Sequence, residues 1–262
     1  MNEVFSEFMM KISIITATYN SAATVKETLT CIAQQQYSDI EHLIVDGLSK
    51  DDTMAIVKEF PHVAKVTSEK DQGIYDAMNK GVQLATGDVI GILNSDDFYT
   101  NPLVLSKVAA AFEDPAVDAV YGDLQYVKAN NVNMVTRTWR SGVYKKENLY
   151  YGWMPPHPTF FVRRQVYEKC GLFNTTLRSA ADYELMLRVL LKYNINARYI
   201  PEVLVKMRAG GMSNASLKNR FRANKEDAMA WKLNELKPYF FTTWLKPLRK
   251  VLQFNPIKIW QK

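Results

Sequence analysis

Strand-like and helix-like patterns alternate four times over the first hundred residues. This predicts an α/β protein with a mostly parallel central sheet and helices on both faces. Polar clusters at residues 16–20, 46–49 and 94–97 fall at the predicted carboxyl ends of strands, where open sheets of this kind bind ligands. A strongly basic stretch closes the chain and reads as a helical extension.

Ile12-Ser13-Ile14-Ile15-Thr16 is a β-branched first strand, ending at the turn Thr18-Tyr19-Asn20-Ser21. Val25, Leu29, Ile32 and Ala33 recur at helical spacing. His42-Leu43-Ile44-Val45-Asp46 is a short buried strand, and a loop starts at Gly47 and Ser49. Residues 52–60 read as a helix that stops before Pro61, residues 64–68 as a weak strand, and residues 75–85 as a helix closed by Gly87. Val89-Ile90-Gly91-Ile92-Leu93 is a strand with Asn94-Ser95-Asp96-Asp97 at its end, followed by a helix over residues 103–112. Further strands are expected at 119–123, 124–127 and 159–162, a turn at Asn130-Asn131, and a helix from just after Ser179 to Lys192.

The chain has 262 residues, and its 47% hydrophobic content is enough to fill a core, which excludes wholesale disorder. Cys31 and Cys170 can build neither a disulfide framework nor a cysteine zinc site, and a reducing, cytoplasmic compartment follows. His42, His62 and His157 show no ligand spacing. No apolar run is long enough to span a bilayer, and the first ten residues, with Glu3 and Glu7, lack the basic start of a signal peptide. No P-loop or G-x-G-x-x-G pattern follows the first strand, which argues against a kinase and a dinucleotide oxidoreductase.

Asp96-Asp97 is the sharpest chemical feature. Adjacent carboxylates at the end of a buried strand repel each other and lose solvation, and a divalent cation relieves both penalties. All-oxygen ligands favour Mg²⁺ or Mn²⁺; the bland alternative is a solvated turn that caps the next helix. Asp46 can accept hydrogen bonds from a base or ribose, or close an Asx turn with Gly47. Asp182 fits a capping box with Ser179, and also fits a general base at the start of a helix. Glu184 lies four residues before Arg188, the favourable order for a helix ion pair. His157, between prolines, and Trp153 and Tyr151 are candidates to line an acceptor pocket. Residues 208–213, led by Arg208, form a glycine-rich basic loop able to close over a diphosphate, or an ordinary surface turn.

Taken in order, Ile14-Ile15-Thr16-Ala17-Thr18-Tyr19-Asn20, Ile44-Val45-Asp46-Gly47, Asp71-Gln72-Gly73-Ile74-Tyr75-Asp76-Ala77-Met78-Asn79-Lys80-Gly81, Gly87-Asp88 and Leu93-Asn94-Ser95-Asp96-Asp97 strongly resemble family 2 glycosyltransferases, over roughly residues 11–213. The look is that of bacterial exopolysaccharide, capsule and O-antigen enzymes. The resemblance implies a GT-A fold, Rossmann-like, and inverting transfer from a nucleotide-sugar donor, a UDP- or GDP-sugar, to a glycan or lipid-linked acceptor. It implies that Thr16, Tyr19 and Asp46 hold the nucleoside, with Asp71 in the same donor-binding set. Asp96 would contact ribose or diphosphate, Asp97 would bind Mn²⁺ or Mg²⁺, and Asp182 would be the base. Gly47 stands where a second aspartate is common, Asn94 replaces a frequent aspartate, and Ala181 replaces the glutamate usual before the base. The domain reading is a catalytic domain over 1–213, with 11–100 the nucleotide half and 101–213 the acceptor half, then a basic extension over 214–262.

Residues 206–262 hold 13 Lys+Arg against 3 Asp+Glu. Positions 241, 244, 245, 248, 251 and 252 form an apolar stripe at helical spacing, broken by Pro238, Pro247 and Pro256 into short helices. A basic amphipathic helix with aromatics fits an anionic membrane surface; the alternatives are docking onto the catalytic domain or onto a second subunit, a homo-oligomer. A nucleic-acid partner would require stacking aromatics among the basic residues, and the tail's aromatics lie instead on one apolar side. A catalytically silent nucleotide-sugar scaffold at the membrane is the reading from outside enzymology.

Overall fold

The computed structural model describes residues 10–210 and 217–251. The chain runs β1 (Ile12–Thr18), α1 (Val25–Ala33), β2 (Ile40–Asp46), α2 (Thr53–Val57), β3 (Val63–Ser68), α3 (Ile74–Leu84), β4 (Val89–Ile92), β5 (Phe98–Tyr99), α4 (Val104–Phe112), β6 (Ala119–Lys128) and β7 (Asn131–Trp139). It continues through α5 (Lys146–Tyr150), β8 (Phe161–Arg163), α6 (Arg164–Cys170), α7 (Ala181–Leu187), β9 (Ala197–Arg208), α8 (Leu217–Leu233) and α9 (Thr242–Val251).

One sheet of order β3-β2-β1-β4-β8-β6-β9-β5 organises the molecule, with β7 paired to β6. Strands β3, β2, β1 and β4 are parallel, as expected for the first hundred residues. The second half is mixed: β8 runs antiparallel to β4 and β6, β7 to β6 and β5 to β9, while β6 and β9 are parallel. From β1 the chain steps outward to β2 and β3, then crosses back to β4 on the other side. This reversal opens a crevice beyond the carboxyl ends of β1 and β4.

Burial follows the strand chemistry. Every residue of β1 is buried, while edge strand β3 is largely exposed, consistent with its weak sequence signal. Helices α3, α6, α7 and α8 cover one face of the sheet; α1, α2 and α4 cover the other. Strand β9 has no counterpart in the sequence expectations. Pro201 sits within it, and its register against β6 slips between Tyr121 and Asp123, so the alternation is broken where a strand pattern would be sought. The helix expected over 52–60 shortens to α2, and the one expected to reach Lys192 changes to a π turn from Arg188.

The boundary at residue 213 does not separate two cores. Ala230 and Trp231 of α8 belong to the same buried cluster as Ala181 and Tyr183. The Trp231 indole donates to the Tyr183 hydroxyl at 2.9 Å, and Asn234 donates to Glu184. Truncating a fully buried Trp of this kind typically costs about 3–5 kcal/mol.

His42 and His62, far apart in sequence, stack with ring centroids 5.2 Å apart, and His42 Nε2 lies 3.1 Å from Thr16 Oγ1. Burial, and then His62, hold the His42 imidazole down at about 3; burial also lowers His62. Such imidazoles stay neutral in the fold while the unfolded chain binds protons below 6.5, so stability is intact above that value and falls as pH drops below it. Glu41 acts in a lower window. Burial raises its carboxyl, but hydrogen bonds from Ser13, Thr86 and Lys11 outweigh that and hold it at about 2. Melting temperature should therefore decline between pH 6.5 and 5, and His42→Gln should flatten that decline while lowering stability at pH 8. An unchanged slope in the variant, read by scanning calorimetry, would remove His42 from the account.

Candidate active site

The ends of β1, β2 and β3 are tied together by one carboxylate. Asp46 has no exposed surface and accepts hydrogen bonds from Thr18 Oγ1 at 3.0 Å, Ser68 Oγ at 2.6 Å, and both the amide and hydroxyl of Ser49. Burial raises its carboxyl, but the bonds from Ser49, Ser68 and Thr18 prevail and hold it below the usual carboxylate range. Asp46 thus closes the Asx-type turn and is occupied from within, a correction to its expected contact with a nucleoside. Thr16 is likewise buried, against His42. Tyr19, 61% exposed, offers its ring at the crevice.

Gly47 leaves room beside it for the Asp71 side chain. A β-carbon there would lie 2.4 Å from Asp71 Oδ2 and 3.4 Å from the Tyr19 ring. The Asp71 carboxylate, which also accepts the Gly73 amide at 2.9 Å, therefore occupies the space beside Gly47 and Tyr19. The structure brings Tyr19, Gly47 and Asp71 together.

The loop after β4 places the two adjacent carboxylates. Thr28 of α1 donates to the Asp97 carbonyl at 2.7 Å, Arg208 of β9 donates to the Asp96 carbonyl at 2.6 Å, and Asn94 Nδ2 donates to Asp97 Oδ2 at 3.0 Å. Arg208 pairs with Glu27 as well. It is buried at a strand end and secures this loop; residues 211–213, the rest of the stretch expected to close over a diphosphate, lie outside the described residues. Asp97 has no exposed surface, whereas Asp96 keeps partial exposure. Asp96 is therefore the carboxylate that solvent reaches, with Asp97 beneath it. Asn94 Oδ1 and Asp97 Oδ1 are buried oxygens with no hydrogen-bond partner, and burial raises both carboxyls, Asp97 further through the Asp96 charge. That donor set fits a hard divalent cation. Among the described residues no group of three or more His, Cys, Asp or Glu side chains could hold a metal ion, so a cation here would take its other ligands from substrate.

Across the crevice, Asp182 lies in the first turn of α7, partly exposed among buried neighbours. The Tyr75 hydroxyl of α3 donates to Asp182 Oδ1 at 3.1 Å, and burial, then the Asp182 charge, push the Tyr75 phenol well up. No capping box forms: α7 has no side-chain cap, and the Ser179 hydroxyl turns to Glu226. Glu184 makes its expected pair with Arg188, at 2.9 Å. His157 meets the Phe173 ring edge-on at 5.5 Å and feels the Asp182 charge, although burial dominates and lowers its imidazole. Trp153 is buried against Tyr121 and Tyr144 and gives its indole N–H to the Ser141 carbonyl at 2.7 Å, so its rings are core and not a sugar-stacking face. Tyr126 of β6 carries the Arg137 guanidinium against its ring. Burial raises its phenol, the Arg137 guanidinium 4.0 Å above its ring opposes this, and Asp97 and Asp182 both add to the rise. Sequence reading missed Tyr75 and Arg137. Tyr75 stood in the longest motif, but its partner is 107 residues away.

The tail stripe divides in two. Thr242 donates to the Tyr150 carbonyl at 2.6 Å, and Lys246 pairs with Asp227 at 2.6 Å while sitting 3.5 Å over the Tyr183 ring. Gly152, with φ +75°, lets this happen: a β-carbon there would meet the Lys246 backbone nitrogen at 2.5 Å. The opposite side exposes Phe240, Trp244 and Leu248, at 91%, 72% and 59%. Helix α9 therefore docks on the catalytic body and still presents an apolar ridge. Leu252, Phe254 and Trp260 lie outside the described residues, and no helix of the described residues is long and apolar enough to cross a membrane.

Residues 13–171 match the family described as Glycosyl transferase family 2. The chain is 30% identical over 257 residues to a PGL/p-HBAD biosynthesis glycosyltransferase of Mycobacterium tuberculosis strain H37Ra, covering 95% of this chain and 97% of that one. It is 29% identical over 194 residues to the uncharacterized glycosyltransferase YwdF of Bacillus subtilis, covering 71% and 70%. In structure it is similar to S. aureus TarS 1–349 in complex with UDP-GlcNAc, with TM-score 0.66 at 21% identity over 86% of this chain and 65% of that 1–349 chain. It is also similar to the mannosyltransferase PcManGT of Pyrobaculum calidifontis in complex with GDP-Man and Mn²⁺, with TM-score 0.64 at 20% identity over 92% and 73%. These likenesses show the fold to be the GT-A fold.

Ionising Asp97 in its buried place opposes folding. A carboxyl raised in the fold contributes stability at low pH, and that contribution is lost as pH climbs from the unfolded value through the folded one. Asp97→Asn should raise the melting temperature of the metal-free protein at pH 8 by about 2–4 °C, equivalent to about 1 kcal/mol for a domain of this size, with the gain shrinking toward pH 4. A lower melting temperature at pH 8 in chelator would contradict the buried-charge account.

Proposed function

The chain belongs to glycosyl transferase family 2, and on that premise we propose that it moves a sugar from a UDP- or GDP-sugar to an acceptor hydroxyl by one inverting displacement. The observations that carry this reading are a partly exposed Asp182 held by Tyr75, and the adjacent Asp96-Asp97 carboxylates with buried oxygens left unpartnered at Asn94 and Asp97. With Oδ1 engaged by Tyr75, Asp182 takes the acceptor proton on Oδ2. The acceptor oxygen then attacks the anomeric carbon and the bond to the nucleoside diphosphate breaks, which inverts that centre. A positioned base of this kind typically supplies about 10²–10⁴-fold in rate. Mn²⁺ or Mg²⁺, when bound, would be held by the Asp96-Asp97 carboxylates and would supply charge neutralisation for the departing diphosphate. Tyr19 and Asp71 line the nucleoside end beside Gly47. His157 stands near Asp182 on the acceptor side.

Asp182→Asn keeps the side-chain shape but cannot accept a proton at neutral pH. Release of UDP or GDP from a panel of UDP- and GDP-sugars with Mn²⁺ and acceptor should fall at least about 10²-fold, with donor-induced thermal stabilisation retained. An unchanged rate would place the base elsewhere. Donor binding without any turnover by the native chain would instead support a silent scaffold.

The acceptor is proposed to be lipid-linked and met at an anionic membrane surface. The support is the exposed ridge Phe240, Trp244 and Leu248 on a strongly basic extension. The full chain should sediment with phosphatidylserine-containing vesicles at low salt and be released by high salt. Replacing Phe240, Trp244 and Leu248 together by Ser should weaken sedimentation while sparing donor hydrolysis; equal sedimentation of the two proteins would count against the membrane reading.

A further inference from the structure

We propose that Glu226, on helix α8 in the basic extension, is a positioning residue for Asp182: it fixes the loop from which the base-bearing helix starts. The proposal rests on the reading of Asp182 as the general base.

Helix α7 is seven residues long, begins at Ala181, and receives no side-chain cap from its own sequence. The loop just before it is instead gathered onto one oxygen from a distant helix. Glu226 Oε2 accepts the Arg178 amide at 3.1 Å, the Ser179 amide at 2.7 Å and the Ser179 hydroxyl at 2.9 Å. Three donors converging on one carboxylate oxygen are charge-assisted bonds, stronger than neutral ones. They fix the backbone three residues before Asp182.

Glu226 is itself held firmly. Glu226, Ala230 and Asn234 follow at spacing i, i+4, i+8, and Asp227 and Trp231 run beside them, so one face of α8 is turned to α7. Trp231 bonds Tyr183, Asn234 bonds Glu184, and Asp227 holds Lys246 of α9 over the Tyr183 ring. The two residues after Asp182 and the loop before it are thus fixed by the same face of one helix. On the other side, the Tyr75 hydroxyl takes Asp182 Oδ1, and Glu226 is close enough for its charge to act on Tyr75. Asp182 sits between these two holds. A base misplaced by about 1 Å costs about 10²-fold in rate.

The test uses the full-length protein, with release of UDP or GDP from the panel of UDP- and GDP-sugars. Glu226→Ala should lower kcat per folded molecule about 10–100-fold, with donor KM within about twofold of native. Glu226→Gln, whose amide oxygen can accept the same three donors, should restore kcat to within about threefold. In the Asp182→Asn background, Glu226→Ala should cost nothing further, because its effect passes through Asp182. Should Glu226→Ala fail to fold, Glu226→Asp, which withdraws the carboxylate by one methylene, carries the same expectations. Native kcat with only a lowered melting temperature, or losses that multiply in the double variant, would overturn the positioning role and leave the base assignment standing. Full activity of Asp182→Asn alone would overturn both.

Discussion

Two carboxylates on consecutive residues, one with no exposed surface, must be kept close to each other at the end of a buried strand. Left alone, that loop would relax outward, where water would solvate both charges. The chain prevents this mainly with contacts to the backbone; only Asn94 donates to a carboxylate, that of Asp97. Thr28 reaches the Asp97 carbonyl from α1, and Arg208 reaches the Asp96 carbonyl from β9. Arg208 would bring an unpaired cation into the same buried space, so Glu27, 181 residues earlier, accompanies it. The strand order serves this arrangement: β9 must pair with β5, immediately after the acidic loop, for Arg208 to arrive. A cation bound there would relieve a tension that the protein part of the site leaves in place.

The parallel half was legible because its signals are local. Buried parallel strands are continuous β-branched runs, and their ligand-binding ends are polar clusters directly after them. The mixed half was less so. Strand β9 mixes charged and apolar residues without regular alternation around Pro201 and is buried at few positions, so nothing within twelve residues marks it as interior. The residue types that perform chemistry are also those that organise turns, and sequence alone does not separate the two. Asp46 looked like a nucleoside contact, yet Thr18, Ser49 and Ser68 occupy it; Ser68 arrives from the neighbouring strand, 22 residues on. The partners of Arg208 and Trp153, Glu27 and Ser141, are likewise invisible in the local pattern.

Gly47 shows the reverse case, in which a departure from a family pattern leaves room for another side chain. A missing carboxylate at position 47 looked like a loss of recognition. The Asp71 side chain lies where a β-carbon at 47 would begin, so the crevice keeps a carboxylate there, delivered from a different loop. A carboxylate stands beside Tyr19 although position 47 has none, and only the three-dimensional arrangement reveals it.

Of the readings open for the basic extension, docking onto the catalytic body is seen for α9, and its consequence is mechanical. A flexible tether carrying apolar residues would attach a protein to a surface without fixing how its active site faces that surface. Helix α9 is no tether: Lys246 binds Asp227 of α8 and lies over Tyr183, the residue after Asp182. Its outward ridge of Phe240, Trp244 and Leu248 is therefore held in a set orientation to the helix that carries the proposed base. On the membrane reading, docking the ridge orients the crevice toward acceptors confined to the surface. Such an acceptor arrives with much of its translational and rotational freedom already lost, the condition under which one well-placed base is most effective. One packed unit of α7, α8 and α9 then answers both requirements, where the base stands and which way it faces.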